Sequence, residues 1–209
     1  GLAGYPQRSE SEHDIVESSH ASSSLSWAEG ISRAFHMSGE HDRYVVAVVG
    51  DGSLTGGMTW EALNNISHDN DRNLILVVND NGRSYAPTIG GMARFLGNVR
   101  GRDSYRVFKR LAESFFGLFG ASGKALFRGL RGGTRGFLSR FAGNDALYSN
   151  LDIKYLGPVD GHNLGDVEHA LKQAKQRRAP VIVHVITEKG RGYEPARNDE
   201  ADQFHAVGQ

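Results

Sequence analysis

Gly50-Asp51-Gly52 sets a lone carboxylate between two glycines at the end of a valine run, and after residues 53–78 comes a second polar tripeptide, Asn79-Asp80-Asn81. A carboxylate, an amide oxygen and a nearby backbone carbonyl make the oxygen-only ligand set that Mg²⁺ prefers, with water and phosphate oxygens filling the remaining octahedral positions. Gly52 lets the backbone come close to a diphosphate. The helix predicted to begin near Met58 would aim its unpaired N–H groups and positive dipole end at the same place. Asp-Gly is also a common hairpin signal, so the plain alternative for Asp51 is a turn. Alone, Gly-Asp-Gly is a weak pattern; its pairing with Asn-Asp-Asn at the end of the adjoining strand makes it a strong one.

The elements that must position these residues alternate in type. Residues 21–38 carry Leu25, Ala28, Ile31 and Phe35 at three- and four-residue spacings before Gly39, which predicts a helix and its stop. "RYVVAVVG" (43–50) and "LILVVNDN" (74–81) are apolar runs of the kind buried on both faces of a parallel sheet. "MTWEALNNISH" (58–68) and "LGDVEHALKQAKQRR" (164–178) read as helices. "DIKYLGPVDG" reads as a strand and turn, and "PVIVHVITEKGRGY" as a buried strand entering a Gly-rich loop. Strand and helix in alternation predict an α/β domain, doubly wound, with a mostly parallel sheet and helices on both faces. Ligands bind such sheets outside the carboxyl ends of the strands. Residues 50–52, 79–81 and 189–193 would therefore gather on one edge.

Composition removes several classes of function. The 209 residues carry 24 Lys and Arg against 24 Asp and Glu, so net charge points to no nucleic-acid partner. With no cysteine there are no disulfides, catalytic thiolates or Zn–thiolate sites. No apolar run approaches the roughly 18 to 20 residues of a membrane span, and the first residues lack a signal-peptide plan, so a cytoplasmic protein is expected. The opening, "GLAGYPQRSESEHD", has no hydrophobic period and no initial methionine, as expected of the middle of something longer. Residues 101–148 break the pattern, with nine Lys and Arg, three Asp and Glu, nine glycines and seven phenylalanines. They are expected to form a mobile insertion within a single domain of residues 1–209; a basic surface for anionic lipid or for a partner is the alternative.

Gly-Asp-Gly and Asn-Asp-Asn at this spacing resemble the thiamine-diphosphate motif of the transketolase-like enzymes. Together with "SSHASSSLSWAEGIS", "GDGSLTGGMTWEALN", "VVNDNGRSYAPTIGG", "YLGPVDGHN" and "EKGRGYEPARNDEADQFHAV", they resemble the 1-deoxy-D-xylulose-5-phosphate synthase family, especially its actinobacterial forms. The resemblance covers nearly the whole chain, only 101–148 matching loosely. It implies that Asp51 and Asn81 are side-chain ligands of Mg²⁺, with the Arg83 carbonyl as a third. It further implies that Gly52 and Ser53 contact the diphosphate and that Ser19, His20 and Ala21 line the cofactor site. Asn81 and Tyr193 would also touch the cofactor, and His20 and His205 would serve the catalytic centre. The implied reaction joins pyruvate to D-glyceraldehyde 3-phosphate with loss of CO₂, for isoprenoid precursor and thiamine biosynthesis.

Family members are roughly three times this length and are expected to be homodimers. The glutamate that activates their aminopyrimidine lies in a following, pyrimidine-binding domain, and no glutamate here can be given that role. The expected product of residues 1–209 is thus the diphosphate and metal side of an enzyme, as a fragment, one subunit of a split enzyme or a truncated homologue that cannot turn over alone. Other readings stay open. His36 and His41 fit surface histidines, His162 could close a turn, and Tyr193 could cap the core. A non-catalytic nucleotide-binding module is the competing class, although "GDGSLTG" brings its third glycine one residue late for Gly-x-Gly-x-x-Gly and no Walker lysine follows.

Overall fold

The computed structural model describes residues 5–84, 86–87 and 153–205. Along these run helix α1 (Ser24–Met37), strand β1 (Val45–Gly50), a 3-10 turn (Asp51–Thr55), α2 (Gly57–His68), β2 (Leu74–Asp80), β3 (Lys154–Asp160), α3 (Leu164–Gln176), β4 (Val181–Ile186) and a single turn of helix, α4 (Glu194–Arg197). The segment 101–148 lies outside the described residues. The strands form one sheet in the order β1-β2-β4-β3, and every pairing is parallel.

Period-two alternation splits the strands between two cores. On one face Val45, Ala47 and Val49 of β1, Leu74, Leu76 and Val78 of β2 and Ile182 of β4 meet Leu25 and Ala28 of α1 and Ala62, Leu63 and Ile66 of α2. On the other, Ile75, Val181, Val183 and Val185 meet Ala170 and Ala174 of α3. Helices thus cover both faces, as the alternation of elements predicts. β1 departs from the expectation of burial on both sides, with Val46 51% and Val48 65% exposed. It stands at the end of the strand order, and α3 packs mainly on β3 and β4. The valine run therefore records β propensity there, with only one face in the core.

Local sequence sets the helix ends. α1 stops in a Schellman motif: Glu40 N–H reaches Phe35 O, Gly39 N–H reaches His36 O, and Gly39 takes φ 76°. Its start is later than the periodicity suggests, because Ser22 adopts φ 71° and donates its hydroxyl to Ser53 O at 2.7 Å. α3 is capped by Asn163, whose side chain accepts Asp166 N–H at 3.3 Å. Arg72, only 2% exposed, joins the loop before β2 to α1 through Glu29 Oε1 at 2.7 Å. It also donates to the carbonyls of Asn65 and Asp69, so one guanidinium fixes α1 against the end of α2.

Candidate functional site

The parallel register places Gly50 opposite Asn79, so Asp51 and the residues from Asp80 to Arg83 leave the sheet side by side. Asp51 is 1% exposed, and its Oδ1 accepts Asn81 N–H at 3.4 Å. Two side-chain turns then shape the loop after β2. Asp80 Oδ1 accepts Gly82 N–H at 3.1 Å, and Asn81 Oδ1 accepts Arg83 N–H at 3.1 Å. The second lone pair of that amide oxygen stays available to a cation. Across the gap, a Cβ on Gly52 would stand 3.0 Å from Ser84 Cβ, so glycine permits the two turns to approach this closely.

The donors suit Mg²⁺: a buried carboxylate, an amide oxygen and a backbone carbonyl are hard oxygen ligands. Among the described residues no group of three His, Cys, Asp or Glu side chains that could hold a metal ion converges. Arg83 Nε is buried with no hydrogen-bond partner among the described residues, and an anionic group would satisfy such a donor.

The 3-10 turn after β1 is tied down at three of its carbonyls. Ser53 O accepts Ser22 Oγ at 2.7 Å and Thr59 Oγ1 at 2.9 Å, Gly52 O accepts Thr55 Oγ1 at 2.7 Å, and Leu54 O accepts Trp60 Nε1 at 3.1 Å. The Ser22 bond draws exposed Ser19, His20 and Ala21 toward Gly52 and Ser53, and His20 O accepts Ser23 Oγ at 2.8 Å. Ser22→Ala is expected to lower stability by about 1 kcal/mol and to weaken any ligand held between the two loops. Thermal melts with and without that ligand would register both effects.

The third cluster arrives from β4. Lys189 Nζ donates to Ser84 O at 2.8 Å and Asp202 O at 2.9 Å and lies 3.0 Å from His205 Nδ1. Burial pulls Lys189 below the ordinary lysine value, and the charge of Arg83 acts with it, against the opposing pull of Asp202, Asp51 and Asp199. His205 is exposed at the end of a turn in which Gln203 and Phe204 take φ 54° and 57°, left-handed values that side chains rarely adopt. The N–H groups of Asp202 and Phe204 hold the Asp199 carboxyl below its usual range and brace that turn. Tyr193, 56% exposed, packs its ring edge-on to Phe204 at 5.9 Å between centroids.

All three polar clusters thus share the carboxyl edge of the sheet. Asp51, Gly52, Asn81 and Arg83 come together directly; Ser19 to Ala21 join through Ser22, and His205 joins through Lys189. His162 Nε2 accepts Glu188 N–H at 2.8 Å, tying the turn after β3 to the segment that follows β4, while its own backbone N–H donates to Asp160 Oδ1 at 3.1 Å within the turn. Sequence reasoning missed the bridging part of Lys189, because a lone lysine beside glycines carries no spacing signal. It also missed a buried contact of Asp80 with His184.

The fold is a four-stranded parallel α/β sheet with helices on both faces and polar turns gathered at its carboxyl edge, an architecture consistent with the thiamine-diphosphate-binding class. Residues 1–187 match the sequence model of the 1-deoxy-D-xylulose-5-phosphate synthase family, and the chain belongs to that family. It is 75% identical to the 1-deoxy-D-xylulose-5-phosphate synthase of Clavibacter sepedonicus over 209 residues, covering 100% of this chain and 32% of that protein. For the synthase of Leifsonia xyli subsp. xyli the figures are 74%, 100% and 32%, and for that of Tropheryma whipplei strain Twist 62%, 100% and 33%. The chain spans about a third of the length of the curated relatives it matches.

Proposed function

We propose that these residues form the metal and diphosphate side of a thiamine-diphosphate-dependent synthase, which condenses pyruvate with D-glyceraldehyde 3-phosphate and releases CO₂. The observation that carries the reading is the apposition of buried Asp51 with the Asn81–Arg83 turn at the ends of two register-paired strands, in a chain of this family. Asp51, the Asn81 amide oxygen and the Arg83 carbonyl would hold Mg²⁺. Gly52 and Ser53 would present backbone to the diphosphate, beside the start of α2, where no side-chain hydrogen bond caps the helix at Gly56.

The chemistry supplied by the bound cofactor is an electron sink for the decarboxylation of pyruvate. The chain's own part is to bind and orient. Ser19, His20 and Ala21 would line one wall. Tyr193 would bound the other, and His205 with Lys189 would offer hydrogen bonds to a polar reactant near the metal. Residues 1–209 alone are expected to bind without turning over, since the activating glutamate falls to a pyrimidine-binding domain or subunit. Family membership supports a homodimer in the whole enzyme. Among the described residues no helix is long and apolar enough to cross a membrane.

Calorimetric titration with thiamine diphosphate, with and without Mg²⁺ and beside NADH, tests this. Mg²⁺-dependent binding of thiamine diphosphate and none of NADH is the expected result. The reverse pattern would favour a dinucleotide-binding module.

A further inference from the structure

Two polar side chains lie where β2 and β4 should be apolar. Asp80 shares its face with Leu76 and Val78, and His184 shares that face with Ile182, yet Asp80 is 0% and His184 1% exposed. His184 Nε2 lies 2.9 Å from Asp80 Oδ2, and His184 Nδ1 lies 2.7 Å from Tyr155 OH on β3. An ionised Asp80 only accepts, so Nε2–H donates to it; in a neutral imidazole Nδ1 then accepts the Tyr155 hydroxyl. The strand order β2-β4-β3 allows this chain of three, one residue from each strand.

Burying such groups is costly unless each is satisfied, and a satisfied network is rigid. What it holds is the loop after β2. The second oxygen of Asp80, Oδ1, accepts Gly82 N–H at 3.1 Å, and Gly82 takes φ 77° between Asn81 and Arg83. The Asp80 carbonyl accepts Thr187 N–H at 2.9 Å, and Thr187 Oγ1 donates to Asn79 Oδ1 at 2.7 Å, so β4 fixes the same loop from a second side. Asp80 is thereby held at both carboxylate oxygens, one in the sheet interior and one at the turn.

We propose that Tyr155, His184 and Asp80 are positioning residues that set the Asn81–Arg83 turn for its cation, with Tyr155 and His184 acting through Asp80. The inference rests on the reading of Asp51, Asn81 and Arg83 as metal ligands. Outer partners of metal ligands typically govern affinity by about 10- to 100-fold, and here the partner orients a backbone turn.

The test is Mn²⁺ binding to the complete gene product at saturating thiamine diphosphate, followed by electron paramagnetic resonance well below each variant's melting temperature. His184→Leu is expected to weaken Mn²⁺ about tenfold. Tyr155→Phe, which removes one hydroxyl from the far end, should weaken it about threefold. In His184→Gln an amide N–H can still reach Asp80, and most of the affinity should return; a purely structural role predicts no such rescue in proteins that are equally folded. Wild-type affinity in His184→Leu, or no recovery in His184→Gln, overturns the inference while leaving the site intact. Should His184→Leu fail to fold, unchanged affinity in Tyr155→Phe overturns it. Absence of Mn²⁺ binding in the wild type overturns the metal site and this inference together.

Discussion

Asp51→Ala is expected to abolish Mg²⁺-dependent binding of thiamine diphosphate, a loss of at least about 100-fold. Removing outer partners of metal ligands already costs about 10- to 100-fold, so the carboxylate ligand itself should cost no less than the upper end. The substitution also leaves the diphosphate charge without the cation that would offset it. Titration calorimetry of wild type and variant, each with and without Mg²⁺, measures the effect. If Asp51 served only to make a turn, the loss would appear as lowered thermal stability without Mg²⁺, and cofactor affinity in the folded variant would persist. Retained Mg²⁺-dependent affinity would remove Asp51 from the metal site.

The second large effect concerns Glu29 and Arg72, away from the site. Glu29→Gln should destabilise the fold by about 3 kcal/mol, because the Arg72 guanidinium stays buried after its carboxylate is gone. For a chain of this size that is a fall of roughly 10 °C in melting temperature. Burial acts to raise the pKa of Glu29, but hydrogen bonds from Arg72 and Arg33 and their charges outweigh it, leaving the carboxyl below its ordinary 4.5. As pH falls, the unfolded chain therefore takes up this proton before the folded one does. The stabilisation is complete above pH 4.5 and is lost as pH drops through the folded value. Denaturant unfolding from pH 7 to 3 should show the wild type and Glu29→Gln converging at the acid end. A pH-independent difference would contradict the charge argument.

Much of the architecture is legible because parallel strands announce themselves as short apolar runs, and each polar cluster follows one. That Asp51 and Asn81 end successive strands follows from the runs alone; that those strands are neighbours with Gly50 opposite Asn79 does not, since strand order and register leave no mark in composition. Exposure of Val46 and Val48 was hidden for a related reason. An edge strand and a central one carry the same residues, and only the strand order tells them apart. The late start of α1 comes from a tertiary bond, Ser22 to Ser53, which overrides a helical spacing that extends further back. Likewise, Tyr155, His184 and Asp80 are far apart in the chain and meet only because β4 lies between β2 and β3.

The pairing of β1 with β2 is uninterrupted from Val45 and Leu74 to Gly50 and Asn79, whereas that of β3 with β4 shifts between Leu156 and Val159. Each residue advances a strand by about 3.3 Å. Coordination distances at a small divalent cation tolerate about 0.2 Å. The hydrogen-bond ladder between these two strands therefore works as a gauge: a slip of a single rung would carry Asp51 many tolerances away from Asn81, and would also turn the valines of β1 inside out. Spare length can collect in the loops that lead into the two strands, but between Val45 and Asp51 the count of residues is itself part of the site.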